Sequence, residues 1–195
     1  MLRKPKIDII SILEENEAFI DGHFELPCGL HVQSYIDTQA VMQYPNVASK
    51  IGVALGDLFN GKIDAVFSPT PENSNIAQEV ARVKKARALF AINENGTMQL
   101  KGNVKINPGE NILIVDNETM TCRKVRQAVS LIKMFKANPV GIAVIVDRSV
   151  TGAVGTIPLR SLLSYPLDTY EPENCPMCKA GTELTKKGNM ADERN

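Results

Sequence analysis

An excess of charge of either sign is the first thing this sequence lacks: its 195 residues carry 22 Lys plus Arg against 22 Asp plus Glu. That balance removes the electrostatic argument for a nucleic-acid or anionic-membrane partner. No apolar run approaches the roughly 18 residues that a membrane-spanning helix needs. Met1-Leu-Arg-Lys leads into Pro5 and polar residues rather than the apolar stretch of a signal peptide, so a cytoplasmic location is expected. Cysteines number four, too few for a disulfide scaffold and suited to a reducing compartment. Tyr35, Tyr44, Tyr165 and Tyr170 are scattered and form no base-stacking platform. With 44% hydrophobic residues, the chain can bury the core of one domain.

Glycine is missing from the place where it would be most informative. The buried β-branched run Ile112 to Val115 ends at Asp116, and a Thr-containing turn then starts an amphipathic helix. A strand feeding a helix N-terminus in this way is where anionic ligands are bound, because the first N–H groups of the helix have no partner. Glycine normally lets such a turn approach a phosphate closely, yet here it holds Met120 and Cys122.

Strand and helix patterns alternate along the chain. Ile9 to Phe19 reads as a short helix ended by the Gly22-His23-Phe24 corner, and Leu26 to Ile36 as a hairpin or two short strands. Val47, Ile51, Leu55 and Leu58 recur at helical spacing after Pro45, with Gly61 as the stop. The strand Ile63 to Phe67 precedes a helix with the apolar face Ile76, Val80 and Val83, for which Asn73 or Ser74 is the N-cap. Ala88 to Ile92 is a strand, and Asn95-Gly96 is a strong hairpin signal. The helix from about Thr121 to Lys136 buries Val125, Ala128, Val129, Ile132 and Phe135, and Val140 to Val146 follows as a strand. Strands separated by crossover helices predict an α/β fold with a mostly parallel sheet flanked by helices. The tail from 182 to 195 is polar and expected to be loose.

The segments just read resemble those of orotate phosphoribosyltransferases, over about Ile9 to Gly181. The resemblance is carried by Gly22-His23-Phe24 with Gly29-Leu30-His31, Gln43-Tyr44-Pro45, Ser68-Pro69, Ala88 to Ala91, Glu94-Asn95-Gly96, Asn107-Pro108-Gly109-Glu110, Ile112 to Asp116, Gly141 to Ser149 and Tyr170 to Cys178. It implies the type I phosphoribosyltransferase fold, with a hood from about 1–40 and 150–181, a core of about 41–149 and a flexible β-hairpin. It also implies a homodimer, or a heteromer with an active paralogue. The implied reaction joins orotate to 5-phosphoribosyl 1-pyrophosphate with Mg²⁺, giving orotidine 5′-monophosphate and pyrophosphate.

Against that family pattern the ligand loops depart at several positions. The family's paired acids at the strand end, which hold ribose hydroxyls, correspond to Asp116 and Asn117, and its Thr-Thr-Gly turn to Met120, Thr121 and Cys122. An amide brings no charge and fewer acceptor sites than a carboxylate. A β-carbon at position 122 strains the turn or blocks the ligand if φ there is positive. Thr119, Arg123 and Lys124 complete the phosphate-side candidates, the two cations offering charge in place of backbone contact. The family's Gly pair facing pyrophosphate corresponds to Glu72 and Asn73. Glu72 either repels that ligand or is a solvated first-turn acid.

Of the catalytic hairpin's cations only Lys101 follows the turn, and it reads either as catalytic with Asp116 or as an exposed hairpin lysine. In the base-binding segment Cys28 and Gly29 stand where a Ser-Gly pair is usual, and Val32 where a further Ser is. Arg148 reads either as the bidentate partner of the orotate carboxylate or as a strand-end residue paired with Asp147 or a neighbour.

Cys175-Pro-Met-Cys178 has zinc-ligand spacing, but two ligands do not complete a tetrahedral site, and only His23, His31, Cys28 and Cys122 are left to help. The resemblance implies a terminal structural knuckle without metal, or at most a metal site shared between subunits. Cys122, beside Arg123 and Lys124 at a helix start, is a candidate reactive thiol. Two functions follow: a family member binding a phosphoribosyl or nucleotide ligand with lost or altered catalysis, or an active Mg²⁺-dependent orotate phosphoribosyltransferase.

Overall fold

The computed structural model describes residues 7–26, 28–100, 102–149 and 152–186. The chain divides into two compact units, a larger one of 1–9 and 42–166 and a smaller one of 10–41 and 167–195.

The larger unit is a seven-stranded, mostly parallel sheet. In sequence its elements are α3 (Pro45–Asp57), β3 (Ala65–Ser68), a 3₁₀ turn (Pro71–Asn73), α4 (Ser74–Lys84), β4 (Arg87–Glu94), β5 (Thr97–Leu100), β6 (Asn111–Thr119), α5 (Arg123–Met134), β7 (Asn138–Asp147), β8 (Ala153–Val154) and β9 (Ile157–Ser164). The strand order is β5-β4-β3-β6-β7-β9-β8. Crossovers through α4 and α5 make the pairs β3/β4 and β6/β7 parallel, as strand-helix-strand alternation requires. Only the edge strands β5 and β8 run antiparallel to their neighbours.

The core lies largely where the patterns place it, but Val83 and Phe135, expected on the buried faces of their helices, are exposed near the helix ends. Ile112, Ile114, Val125, Ala128 and Ile132 are fully buried, and Phe67 packs with them. Asn95 (φ 52°) and Gly96 (φ 77°) both take positive φ between β4 and β5, the geometry of a two-residue hairpin turn.

The smaller unit is a three-stranded sheet ordered β10-β1-β2, with β1 at Phe19–Glu25, β2 at His31–Ile36 and β10 at Thr185–Lys186. Two expectations fail here. The helix α1 covers only Ile9–Glu15, with α2 (Thr38–Met42) following β2, and Phe19 opens a strand that runs straight through Gly22-His23-Phe24. A register shift between Asp21 and Phe24 absorbs the glycine as a bulge, where a corner was expected. The segment expected to be a loose tail pairs instead, with Phe24 opposite Thr185 and Glu25 opposite Lys186; residues 187–195 lie outside those described.

Candidate active site at the switch point of the sheet

From β3 the chain crosses to β4 on one side, and from β6 to β7 on the other. In such a sheet the crevice beyond the carboxyl ends of the two inner strands is where ligands bind. The 3₁₀ turn and α4 follow β3 at that crevice, and α5 follows β6.

Asp116 sits at its centre, 3% exposed. Its Oδ1 accepts a short hydrogen bond from Asn73 Nδ2 and a second from the Asn117 N–H at 2.9 Å. Burial pushes its carboxyl up to about 6, against the opposing pull of Lys124 and these two donors. Asn73 is therefore not the side-chain N-cap expected of it: α4 starts with no side-chain cap bond, and the amide reaches across to β6.

The strand β6 does not stop at Asp116. It continues to Thr119, because Glu118 pairs with Val146 and Thr119 with Asp147 of β7. Asn117, expected at the strand end, and Thr119, expected beyond it, are thus both strand residues, and the Thr119 carbonyl accepts the Arg148 N–H at 2.8 Å. Beside them Arg148 Nε donates to Glu118 Oε2 at 2.9 Å, while Asp147 accepts from the Ser149 N–H and hydroxyl. Arg148 is paired with a neighbour, but Glu118 rather than Asp147. Two buried polar atoms at these strand ends have no hydrogen-bond partner among the described residues: Asn117 Oδ1 and Arg148 Nη2. A buried acceptor and donor left unpaired cost about 1–3 kcal/mol each, which a ligand supplying the partners would recover.

The turn into α5 answers the steric question. Cys122 has φ 58° and ψ 15°, the left-handed region that glycine tolerates and a thiol-bearing residue does not favour. Its side chain is 2% exposed and packs in the apolar core around Val125 and Ile114. The reactive-thiol reading fails for that reason. Thr121 is exposed and accepts a long 3.4 Å bond from the Arg123 N–H, and Arg123 and Lys124 form the first turn of α5.

Comparison with known proteins supports the same picture. No family model matches the chain. An orotate phosphoribosyltransferase of known structure from Aeropyrum pernix superimposes with a TM-score of 0.69 over 80% of this chain and 93% of that one, at 20% identity. In sequence the chain is 36% identical over 181 residues to the orotate phosphoribosyltransferase of Caldicellulosiruptor saccharolyticus, covering 92% of this chain and 94% of the relative. The Thermotoga maritima orotate phosphoribosyltransferase is 34% identical over 181 residues, 92% of this chain and 97% of its own length. The chain belongs to the orotate phosphoribosyltransferase family. Its sheet is that of the type I phosphoribosyltransferase fold.

The other residues expected from the family are placed as follows. Glu72 is exposed on the 3₁₀ turn, as a first-turn acid. Cys28 is exposed in the smaller unit, next to Gly29 at φ 85° in the turn joining β1 and β2. Lys101 lies outside the described residues. Mg²⁺, implied by the family, takes oxygen ligands and often only one or two carboxylates together with substrate phosphates. Asp116 offers one such carboxylate, and the neighbouring Asn117 Oδ1 is an unpartnered oxygen, so the donor set fits an ion that arrives with its phosphate ligand. Such an ion would neutralise charge on the leaving pyrophosphate. Among the described residues no helix is long and apolar enough to cross a membrane.

Proposed function

We propose that this family member binds a phosphoribosyl ligand at the β3/β6 switch point and that phosphoribosyl transfer there is lost or strongly slowed. The Asn73–Asp116 hydrogen bond carries this reading. As the family pattern implies, one of these positions faces pyrophosphate and the other the ribose hydroxyls; here the two side chains bind each other. The Asn73 amide occupies Oδ1, one of the two acceptor oxygens of Asp116, so a ribose hydroxyl that donates to that oxygen must displace it, which makes the latch a competitor of the ligand. Asn117 Oδ1 and Arg148 Nη2 are what the site still offers to a hydroxyl and to an acceptor oxygen. The Arg148–Glu118 pair reduces the charge available to an orotate carboxylate.

Removing the competitor should tighten binding. A hydrogen bond to a charged group is worth about 1.5–3 kcal/mol, so Asn73→Ala is expected to bind 5-phosphoribosyl 1-pyrophosphate with Mg²⁺ on the order of tenfold more tightly in calorimetry. Unchanged or weaker binding would mean that Asn73 is not what the ligand displaces.

The second reading, an active orotate phosphoribosyltransferase, is favoured by the near full-length similarity to relatives that carry that name. An assay with orotate, 5-phosphoribosyl 1-pyrophosphate and Mg²⁺ separates the two, with the Thermotoga maritima relative as control. Orotidine 5′-monophosphate formed at the relative's rate selects the active enzyme; binding without that turnover selects the proposal. If the latch and the turn limit the rate, the combined variant Asn73→Gly, Asn117→Asp, Cys122→Gly should gain turnover. Pairing of two copies, or of this chain with an active relative, a contribution from Lys101 and a cytoplasmic location all belong to this proposal.

A further inference from the structure

In the smaller unit four metal-binding side chains converge: His23 of β1, His31 of β2, and Cys175 and Cys178 at the short helix α6 (Pro176–Lys179). Their ligand atoms all lie within 4.8 Å of one another. His23 Nε2 is 2.8 Å from His31 Nδ1, 3.5 Å from Cys175 Sγ and 3.6 Å from Cys178 Sγ, and Cys178 Sγ is 3.3 Å from His31 Nδ1. A tetrahedral zinc ion with ordinary bond lengths needs N···S edges of about 3.6 Å and an N···N edge of about 3.3 Å. Three of the four N···S edges lie within about 0.3 Å of that value, and the two imidazoles must part by about 0.5 Å to reach theirs.

The surroundings fit a ligand set as well. His23 Nδ1 lies 2.9 Å from the Thr182 carbonyl, which can only accept. The proton is therefore on Nδ1, and Nε2 turns a lone pair to the cluster, the outer-shell bond that metal-bound histidines characteristically make. Cys175 is fully buried, and His23 and His31 are 2% and 4% exposed. Burying these groups is favourable when one cation satisfies all four: two thiolates and two neutral imidazoles around a divalent ion sum to zero charge.

We infer that His23, His31, Cys175 and Cys178 form a structural zinc site that staples the C-terminal segment to the β1/β2 hairpin. On binding, two Zn–S and two Zn–N bonds form and the two thiol protons leave to solvent, with no change of oxidation state. Four protein ligands close the coordination sphere, so the site holds structure and offers no open position for catalysis. The staple joins residues that are 152 and 155 apart in sequence. It does so between two other ties, the paired bonds of His31 with Tyr170 and the β1/β10 pairing. The unit is small and assembled from two separate chain segments, the situation in which metals are used as cross-links. Tetrahedral N₂S₂ coordination selects Zn²⁺ over Mg²⁺, which prefers octahedral oxygen.

The test is metal content of the full chain, purified without an affinity tag or chelator and supplied with Zn²⁺. One zinc per chain is expected by mass spectrometry of the elements. His31→Ala and Cys178→Ser should each reduce it at least tenfold, while Asp116→Asn retains it. Replacement by Co²⁺ should give the intense visible bands of a tetrahedral ion with thiolate ligands, a readout that survives if zinc-depleted variants fold poorly. Removing the metal should lower Tm by about 10 °C or more, restored by Zn²⁺. A folded wild-type chain holding no zinc, a Cys175–Cys178 disulfide in thiol counting, or full zinc content in His31→Ala would each overturn the assignment. None of these outcomes depends on ligand binding at the switch point.

Discussion

Asp116→Asn is expected to make the protein more stable at neutral pH while abolishing phosphoribosyl binding. In the folded state burial pushes this carboxyl up to about 6, against 3.8 for an ordinary aspartate. Folding therefore favours the protonated form. Below about pH 4 both folded and unfolded chains hold the proton and the contribution to stability is fully present; as pH rises through about 6 it is lost. At roughly 1.4 kcal/mol per pH unit, a shift of this size corresponds to about 3 kcal/mol. Asparagine carries no charge to desolvate, and its Oδ1 can accept the same bonds from Asn73 and the Asn117 N–H. The variant should gain on the order of 3 kcal/mol in urea unfolding at pH 7 and lose the slope of stability between pH 4 and 6. A variant less stable than wild type at pH 7 would show that Lys124 and the donors outweigh burial.

The second large effect lies in the core, away from the ligand loops. Gly141 is a buried residue of β7, and a β-carbon placed there would come 2.1 Å from the Phe59 ring. That ring is 5% exposed and carries the Arg160 guanidinium 4.7 Å from its centroid, so it has little room to swing aside. Arg160 is itself held by a short bond to the Leu58 carbonyl. Gly141→Ala should therefore cost about 3 kcal/mol, a fall in Tm of roughly 6–12 °C. Adding Phe59→Leu should recover part of the loss, giving a favourable coupling of about 1 kcal/mol or more in the double-mutant cycle. Simple additivity would mean that the strand moves and the ring does not resist.

Local chemistry made much of this fold legible. Helical spacing alone located α3, α4 and α5, because their apolar stripes face a sheet that buries them, and Asn95-Gly96 marked the β4/β5 turn. What local pattern could not reveal was set by partners distant in sequence. The polar residues Glu118 and Thr119 read as a turn until β7 pairs with them, and Pro158 masks the strand β9, whose ladder to β7 begins only at Leu159.

The site was legible to a similar degree and for the same reason. Asp116 and the departures at Asn117 and Cys122 stand in the sequence, and the left-handed φ at Cys122 is what the missing glycine foretold. The bond from Asn73 to Asp116 spans 43 positions, and no motif announces it. For the four-ligand cluster the sequence offers the cysteine pair and four possible helpers, and only the pairing of β1 with β2 brings His23 and His31, rather than Cys28 or Cys122, to that pair. The i,i+3 spacing of Cys175 and Cys178 was the one signal that pointed toward it.

A crystal of the full chain soaked with 5-phosphoribosyl 1-pyrophosphate and Mg²⁺ addresses the latch most directly. The expected density shows the sugar hydroxyls on Asp116 with the Asn73 amide swung away from it. Ligand seated at the switch point with the Asn73–Asp116 bond intact would contradict the account, as would ligand bound elsewhere on the chain.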